Sequence, residues 1–195
     1  MERNSVGIEK LLSFQSEAKL LEKRTIFISE GINSAVAKNV IQSLLALDMD
    51  ESGKPIYMFI NSPGGEVNSG FAIYDTMRFL KSEVRVVCTG LTASIATIIL
   101  LGAPKEHRMG MPNTRFLIHQ PLIGGQIQGQ ASDLEITAKE IIKTRKRINE
   151  MLAAECGQPL TRVEDDTTRD YWMNSQEALE YGLITKIVEN WNEVE

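Results

Sequence analysis

The spacing of apolar residues changes period repeatedly along the chain. Thr25-Ile-Phe-Ile-Ser29 is a short apolar run bounded by polar residues and predicts a strand. Beyond it, Val36, Ala37, Val40, Ile41, Leu44 and Leu45 recur at helical spacing, and Asn33 stands where it can cap that helix. Asp50-Glu-Ser-Gly-Lys54 predicts a turn. Pro55 to Ile60 predicts a second strand, broken by Asn61-Ser-Pro-Gly-Gly65. Val67, Gly70, Phe71, Tyr74, Met77 and Leu80 then share one helical face. Val84 to Cys88 predicts a third strand, Ala93 to Leu101 a buried helix after a turn, and Phe116 to Ile118 a fourth strand running into His119. Strands alternating with helices predict an α/β fold with parallel strands, in which sites gather where strands end and helices begin.

The pattern shifts after that strand. Ile123-Gly-Gly-Gln-Ile-Gln-Gly-Gln130 is too glycine-rich for a core strand. Ser132-Asp-Leu-Glu135 has the form of a capping box and predicts the start of a highly charged helix to about Glu155. The apolar residues Leu134, Ile141, Ile142, Ile148 and Leu152 are too few for a wide core-facing stripe, so this helix is expected to project and pack on another subunit.

Composition narrows the classes. A chain of 195 residues fits one domain, residues 1–195, and 43% hydrophobic with 24% charged residues excludes disorder. Lys plus Arg number 21 against 26 Asp plus Glu, a net charge of −5 that offers no footprint for nucleic acid or an anionic membrane. Cys88 and Cys156 lack metal-ligand spacing and are expected to be free thiols of a reducing compartment. The N-terminus carries charges throughout and has no apolar signal core. The uncharged stretch Val86 to Pro104 contains Thr89, Gly90, Thr92, Ser94, Thr97 and Gly102, so it reads as strand, turn and core helix rather than a membrane span. A cytoplasmic protein is the expectation.

Three features carry candidate chemistry. Ser94 lies two residues beyond Thr92, a residue able to cap the buried helix. A serine in a first helical turn sits among backbone N–H groups without intrahelical partners, where an anion is stabilised. His119, one of two histidines, ends an apolar strand, and imidazole is the natural base for a serine hydroxyl near neutral pH. His107, within Lys105-Glu-His-Arg108, is expected to be solvated. The glycine break Asn61 to Gly65 lacks the Gly-Lys-Ser/Thr of a nucleotide loop, and an oxyanion hole is its best functional reading. Asp133, Asp165, Asp166 and Asp170 are all available as the acid of a triad, and spacing does not choose among them. The G-x-S-x-G elbow is absent.

Ile60-Asn-Ser-Pro-Gly-Gly65, Ile73-Tyr-Asp-Thr-Met77, Pro112-Asn-Thr-Arg115, Ile118-His-Gln-Pro121, Gly129-Gln-Ala131 and Thr167-Thr-Arg-Asp170 together resemble the ClpP family, the proteolytic subunits of the ATP-dependent Clp protease. The resemblance runs from about Leu20 to Val188. It implies a ClpP/crotonase-like α/β fold of ββα units with a projecting handle helix, region 123–156, and an N-terminal axial segment, residues 1–19. It implies Ser94 as nucleophile, His119 as general base and Asp170 as acid, with the backbone amides of Gly65 and Ile95 as oxyanion donors. It further implies a serine endopeptidase working as a tetradecamer of two stacked heptameric rings, with Arg169 as a ring contact. Its partners would be unfolded polypeptides and an AAA+ unfoldase docking near Tyr57, Phe59, Phe79 and Met109. No cofactor or metal is implied, ATP being used by the unfoldase.

The chain departs from the family pattern in three places. Ser94-Ile95-Ala96 stands where Ser-Met-Gly is usual, Asn4 to Ser13 does not resemble the axial-pore hairpin, and Leu122 to Gln128 is longer than in many members. These departures suggest an alternative: a weakly active or structural ring subunit working in a mixed assembly.

Overall fold

The computed structural model describes residues 15–122 and 129–194. Most of the predicted axial segment, and residues 123–128 of the handle region, lie outside the described residues. Residues 15–22 are helical and lead into β1, Thr25–Ile28. Helix α1, Ser34–Asp50, starts as predicted: Asn33 Oδ1 accepts from Ala35 N (2.9 Å) and Val36 N (3.0 Å). Its stripe of Val36, Ala37, Val40, Leu44 and Leu47 is buried, each larger side chain contributing roughly 1.5–3 kcal/mol. Strand β2, Ile56–Ser62, leads through the glycine break to α2, Val67–Phe79.

Strand β3, Val84–Ala93, does not stop at Cys88 as the sequence suggested. Its register against β2 slips from Ile60↔Cys88 to Ser62↔Thr92. Gly90 adopts φ +59° at the slip, and Asn61 Oδ1 accepts from Leu91 N (3.1 Å), replacing the lost ladder bond. The predicted turn is therefore a bulge within one strand. Beyond it come α3 (Ile95–Leu100), β4 (Arg108–Gly110) and β5 (Arg115–Ile118). The chain continues through α4 (Ala131–Cys156), α5 (Leu160–Asp166), β6 (Tyr171–Met173), α6 (Ser175–Tyr181) and β7 (Lys186–Ile187).

Among the described residues the sheet has seven strands in the order β1-β2-β3-β4-β7, with β5 paired to the far half of β3 and β6 paired to β5. All pairings are parallel except β5–β6. The fold is thus α/β with a parallel-dominated sheet, as expected. The main core lies where α1, α2 and α3 cover the sheet, and α3 is buried along its whole length.

Helix α4 is 26 residues, about 39 Å long at 1.5 Å per residue. Its last turns dock through Ile148, Leu152, Ala153 and Cys156, whereas Leu134, Ile136 and Ile142 are exposed. The predicted capping box does not form. The N-cap is Gln130, whose carbonyl accepts from both Asp133 N (3.0 Å) and Leu134 N (3.1 Å), so Ser132 already lies inside the first turn.

One polar prediction also changes. His107 is not solvated: its side chain is 22% exposed, with Nε2 3.3 Å from Glu83. The neighbouring Arg108 is fully buried, donating to Leu101 O and Ala103 O (2.9 Å each) and to Glu155 Oε2 (2.6 Å). It ties the end of α3 to the end of α4. Arg108→Ala is expected to lower unfolding free energy by about 3 kcal/mol, because the carboxylate and two carbonyls lose their donor together. Denaturant titration checks this, and an unchanged midpoint would contradict it.

Cys88 and Cys156 are free and buried, and burial pushes both thiols up to about 12 from 9.0. Unfolded thiols ionise near 9 while the buried ones stay neutral, so this contribution is whole below pH 9 and lost as pH climbs towards 12. Iodoacetamide at pH 8 is expected to leave both cysteines of the native protein unmodified and to alkylate both after denaturation, as read by intact mass. Modification of the folded chain at the denatured rate would contradict it.

Candidate active site

Sheet register assembles the site. Ala93 pairs with Leu117, and Ser94 N donates to Leu117 O (2.8 Å), which sets the residue after β3 beside the end of β5. Ile118 pairs with Tyr171 across the antiparallel step, so His119 and Asp170 are next in line on adjoining strands. The result is one hydrogen-bonded line: Ser94 Oγ to His119 Nε2 at 2.8 Å, and His119 Nδ1 to Asp170 Oδ1 at 3.0 Å. The histidine side chain is 12% exposed and the aspartate 62%. Of the four candidate acids, only Asp170 reaches the ring. Asp133 begins α4, Asp165 and Asp166 end α5, and Asp166 lies by Arg162 and Tyr181 instead.

Ser94 is the N-cap of α3 and makes no capping bond, and Thr92 does not cap the helix. Its backbone has φ 57°, ψ −128°, which costs a non-glycine residue on the order of 1–3 kcal/mol. The surroundings hold it there: its N–H is taken by Leu117, and its carbonyl accepts from Thr97 N (3.0 Å) and Thr97 Oγ1 (2.7 Å). The hydroxyl that a cap would have used thus faces His119. The tight strand-to-helix turn leaves the hydroxyl exposed to the histidine without the glycine signature of an elbow.

The glycine break lies directly against this turn. Buried Ser62 fastens it, donating to Glu30 O (2.6 Å) and accepting from Gly64 N (3.1 Å). A methyl group on Gly64 would fall 2.7 Å from Ser94 Cβ and 3.3 Å from Ile95 N. Ile32 brackets Gly65, donating to Gly64 O and accepting from Glu66 N (2.8 Å each). Those bonds use the groups on either side of Gly65 and leave its own N–H free. Ile95 N–H, at the first position of α3, is also free. Among the described residues neither amide has an acceptor, so two donors flank Ser94.

A narrow apolar cleft opens beside Ser94 and His119, lined by Val67, Ile98, Ile118, Pro121, Ile148 and Leu152. Gln120 braces the far side, its N donating to Thr167 O (2.7 Å) and its side chain to Thr168 O (2.8 Å). Asn149 of α4 accepts from Thr167 Oγ1 (3.0 Å). This bracing of the Asp170 segment had no signal in the linear sequence, because it depends on α4 lying across α5. Arg169 is exposed beside Asp170.

Three of the four remaining site residues meet elsewhere. Tyr57, Phe59 and Met109 share the sheet face opposite the helices, with Val87, Val188 and Val194. Phe27 stacks on Phe59 at 5.2 Å and Trp191 stacks on it at 6.0 Å, two aromatic partners the sequence did not single out. Phe79, at the end of α2 and 82% exposed, lies outside that cluster. Among the described residues no group of His, Cys, Asp or Glu could hold a metal ion, and no helix is long and apolar enough to cross a membrane.

A strand-end serine, a strand-end histidine and an aspartate in one line, with two free amides alongside, form the arrangement used by serine hydrolases. The profile of the Clp protease family matches residues 9–191. The chain is 46% identical over 176 residues to ATP-dependent Clp protease proteolytic subunit 2 of Treponema denticola, covering 90% of this chain and 87% of that protein. The chain belongs to the Clp protease family.

Proposed function

We propose that this chain is a serine endopeptidase subunit that hydrolyses peptide bonds of unfolded polypeptides. The observation that carries the reading is the Ser94–His119–Asp170 line at 2.8 and 3.0 Å beside two free amides. His119 Nε2 accepts the proton of Ser94 Oγ as the oxygen attacks the scissile carbonyl. The Gly65 and Ile95 amides donate to the oxyanion, and Asp170 holds the Nδ1–H and stabilises the imidazolium. The imidazolium returns its proton to the leaving amine, and water then releases the acyl group by the same path in reverse. The reaction closes on these residues and water, with no cofactor or metal.

Assembly belongs to the same reading. The exposed half of α4 has apolar residues, Leu134, Ile136 and Ile142, left uncovered among the described residues, which fits a handle meshing two stacked heptameric rings in a cytoplasmic tetradecamer. Arg169, beside the acid, would contact a neighbouring subunit and make the relay sensitive to assembly. Tyr57, Phe59 and Met109, with Phe27 stacked beside them, and the exposed Phe79 form the docking surface for an AAA+ unfoldase, which spends ATP to deliver substrate. Ser94-Ile95-Ala96 supports a second reading, a structural subunit of a mixed assembly.

One assay separates the two. The purified chain is incubated with an unfolded protein, alone and with an active companion subunit, each with native Ser94 or Ser94→Ala. Cleavage that depends on Ser94 is expected. Equal cleavage by both forms would assign the chain the structural role.

A further inference from the structure

Gly70 sits in the interior of α2, where alanine is the better helix former. It is buried, and the space its missing side chain leaves is occupied. A Cβ built there would collide with Ile95 Cγ1 and lie 3.2 Å from Ile95 Cδ1 and 3.3 Å from Ile95 Cβ. Ile95 is 2% exposed and opens α3, so its side chain fills the gap on α2 while its N–H is one of the two free amides. The two donors are thereby linked. Gly65 lies two residues before the start of α2, Ile95 starts α3, and Gly70 and Ile95 are where the helices touch.

We propose that Gly70 is a positioning residue for the Ile95 amide: its absent side chain sets how closely α3 approaches α2, and so the spacing of the two oxyanion donors. The inference rests on the peptidase reading above. Its physical basis is the stiffness of a β-branched side chain. Ile has one strongly preferred χ1 rotamer in a helix, so a displaced Cγ1 takes the backbone with it instead of swinging aside. An unbranched side chain after the nucleophile would bend around an added methyl, and Ile95 cannot. Gly70 acts through Ile95 and touches no reacting atom.

The test is a size exchange read on transition-state affinity. In the assembly that turns over, Gly70→Ala is expected to lower kcat about 100-fold, the scale of losing one oxyanion donor, with KM within about twofold. Affinity for a peptide boronate, which places an oxygen in the hole, should fall in parallel, while affinity for the product peptide acid holds. Ile95→Ala alone removes the strut and is expected to cost about tenfold in kcat and boronate affinity. The double variant, with the new methyl entering the space Ile95 vacates, should recover at least about tenfold over Gly70→Ala. Full activity in Gly70→Ala, boronate affinity that does not follow kcat, or a double variant no better than Gly70→Ala overturns the proposal. If Gly70→Ala fails to assemble, Ile95→Ala decides alone, and unchanged boronate affinity in it counts against the proposal. Failure of a fluorophosphonate to react at Ser94 of the unaltered protein would instead remove the peptidase reading itself.

Discussion

Replacing Ser94 by alanine is expected to cut the rate of peptide hydrolysis about ten-thousand-fold or more, with melting temperature and assembly mass unchanged. The size follows from what the side chain does. Its Oγ makes one hydrogen bond, to His119 Nε2, and no capping bond. The backbone bonds that fix the turn, Ser94 N to Leu117 O and Thr97 N to Ser94 O, do not involve the hydroxyl. Alanine therefore inherits the same φ 57° and the same packing, and loses only the oxygen proposed to attack. Adding His119→Ala to Ser94→Ala should cost almost nothing further, because the base has no proton left to accept. A serine that served only the helix start would give the opposite pattern, with lower stability and unchanged turnover.

Gly65→Ala is expected to lower kcat about 100- to 1000-fold and to destabilise the fold as well. Gly65 adopts φ +152°, and a Cβ there would collide with Ile32 O and lie 2.8 Å from Ile32 N. The peptide must move, and the two 2.8 Å bonds bracketing it, Ile32 N to Gly64 O and Glu66 N to Ile32 O, cannot both survive. The Gly65 amide, one of the two proposed oxyanion donors, leaves its place with them. Gly53→Ala is the fitting control, since Gly53 also has positive φ, +86°, but nothing lies within 4 Å of the added methyl. It should cost about 1 kcal/mol in stability and leave turnover alone. Steady-state kinetics and thermal melts of both variants provide the check. Equal turnover losses at Gly53 and Gly65 would show that strain alone, not donor placement, lowers the rate.

How far the sequence could be read depended on segment length and on where partners come from. Helix α1 was legible because Asn33 and a 17-residue periodic run agree with each other. Strands β4, β6 and β7, of three, three and two residues, are too short to show any period. His107 looked solvated because nothing local announces the Glu83 carboxylate that lies beside it, and nothing local announces the Glu155 carboxylate that receives Arg108. The end of β3 was misplaced because Gly90 reads as a break, whereas the Asn61 side chain carries the ladder across it.

The site divides along the same line. Ser94 is visible as a helix-start residue, His119 as a strand-end residue and the glycine break as a turn, and their chemistry follows from residue type. The choice of Asp170 does not, because it rests on the β5–β6 register, in which Ile118 faces Tyr171 and the next pair meets. The resemblance to the ClpP family named that aspartate before any geometry could. The Gly70–Ile95 contact was hidden for the same reason, since it exists only once two helices are packed together.

The central claim is that Ser94 is a nucleophile activated in place by His119. Treating the protein with a fluorophosphonate and locating the adduct by peptide mass spectrometry tests it most directly. A single adduct on Ser94, absent from Ser94→Ala and strongly slowed in His119→Ala, is the predicted result. An adduct on another residue, or labelling that persists in Ser94→Ala, would contradict it.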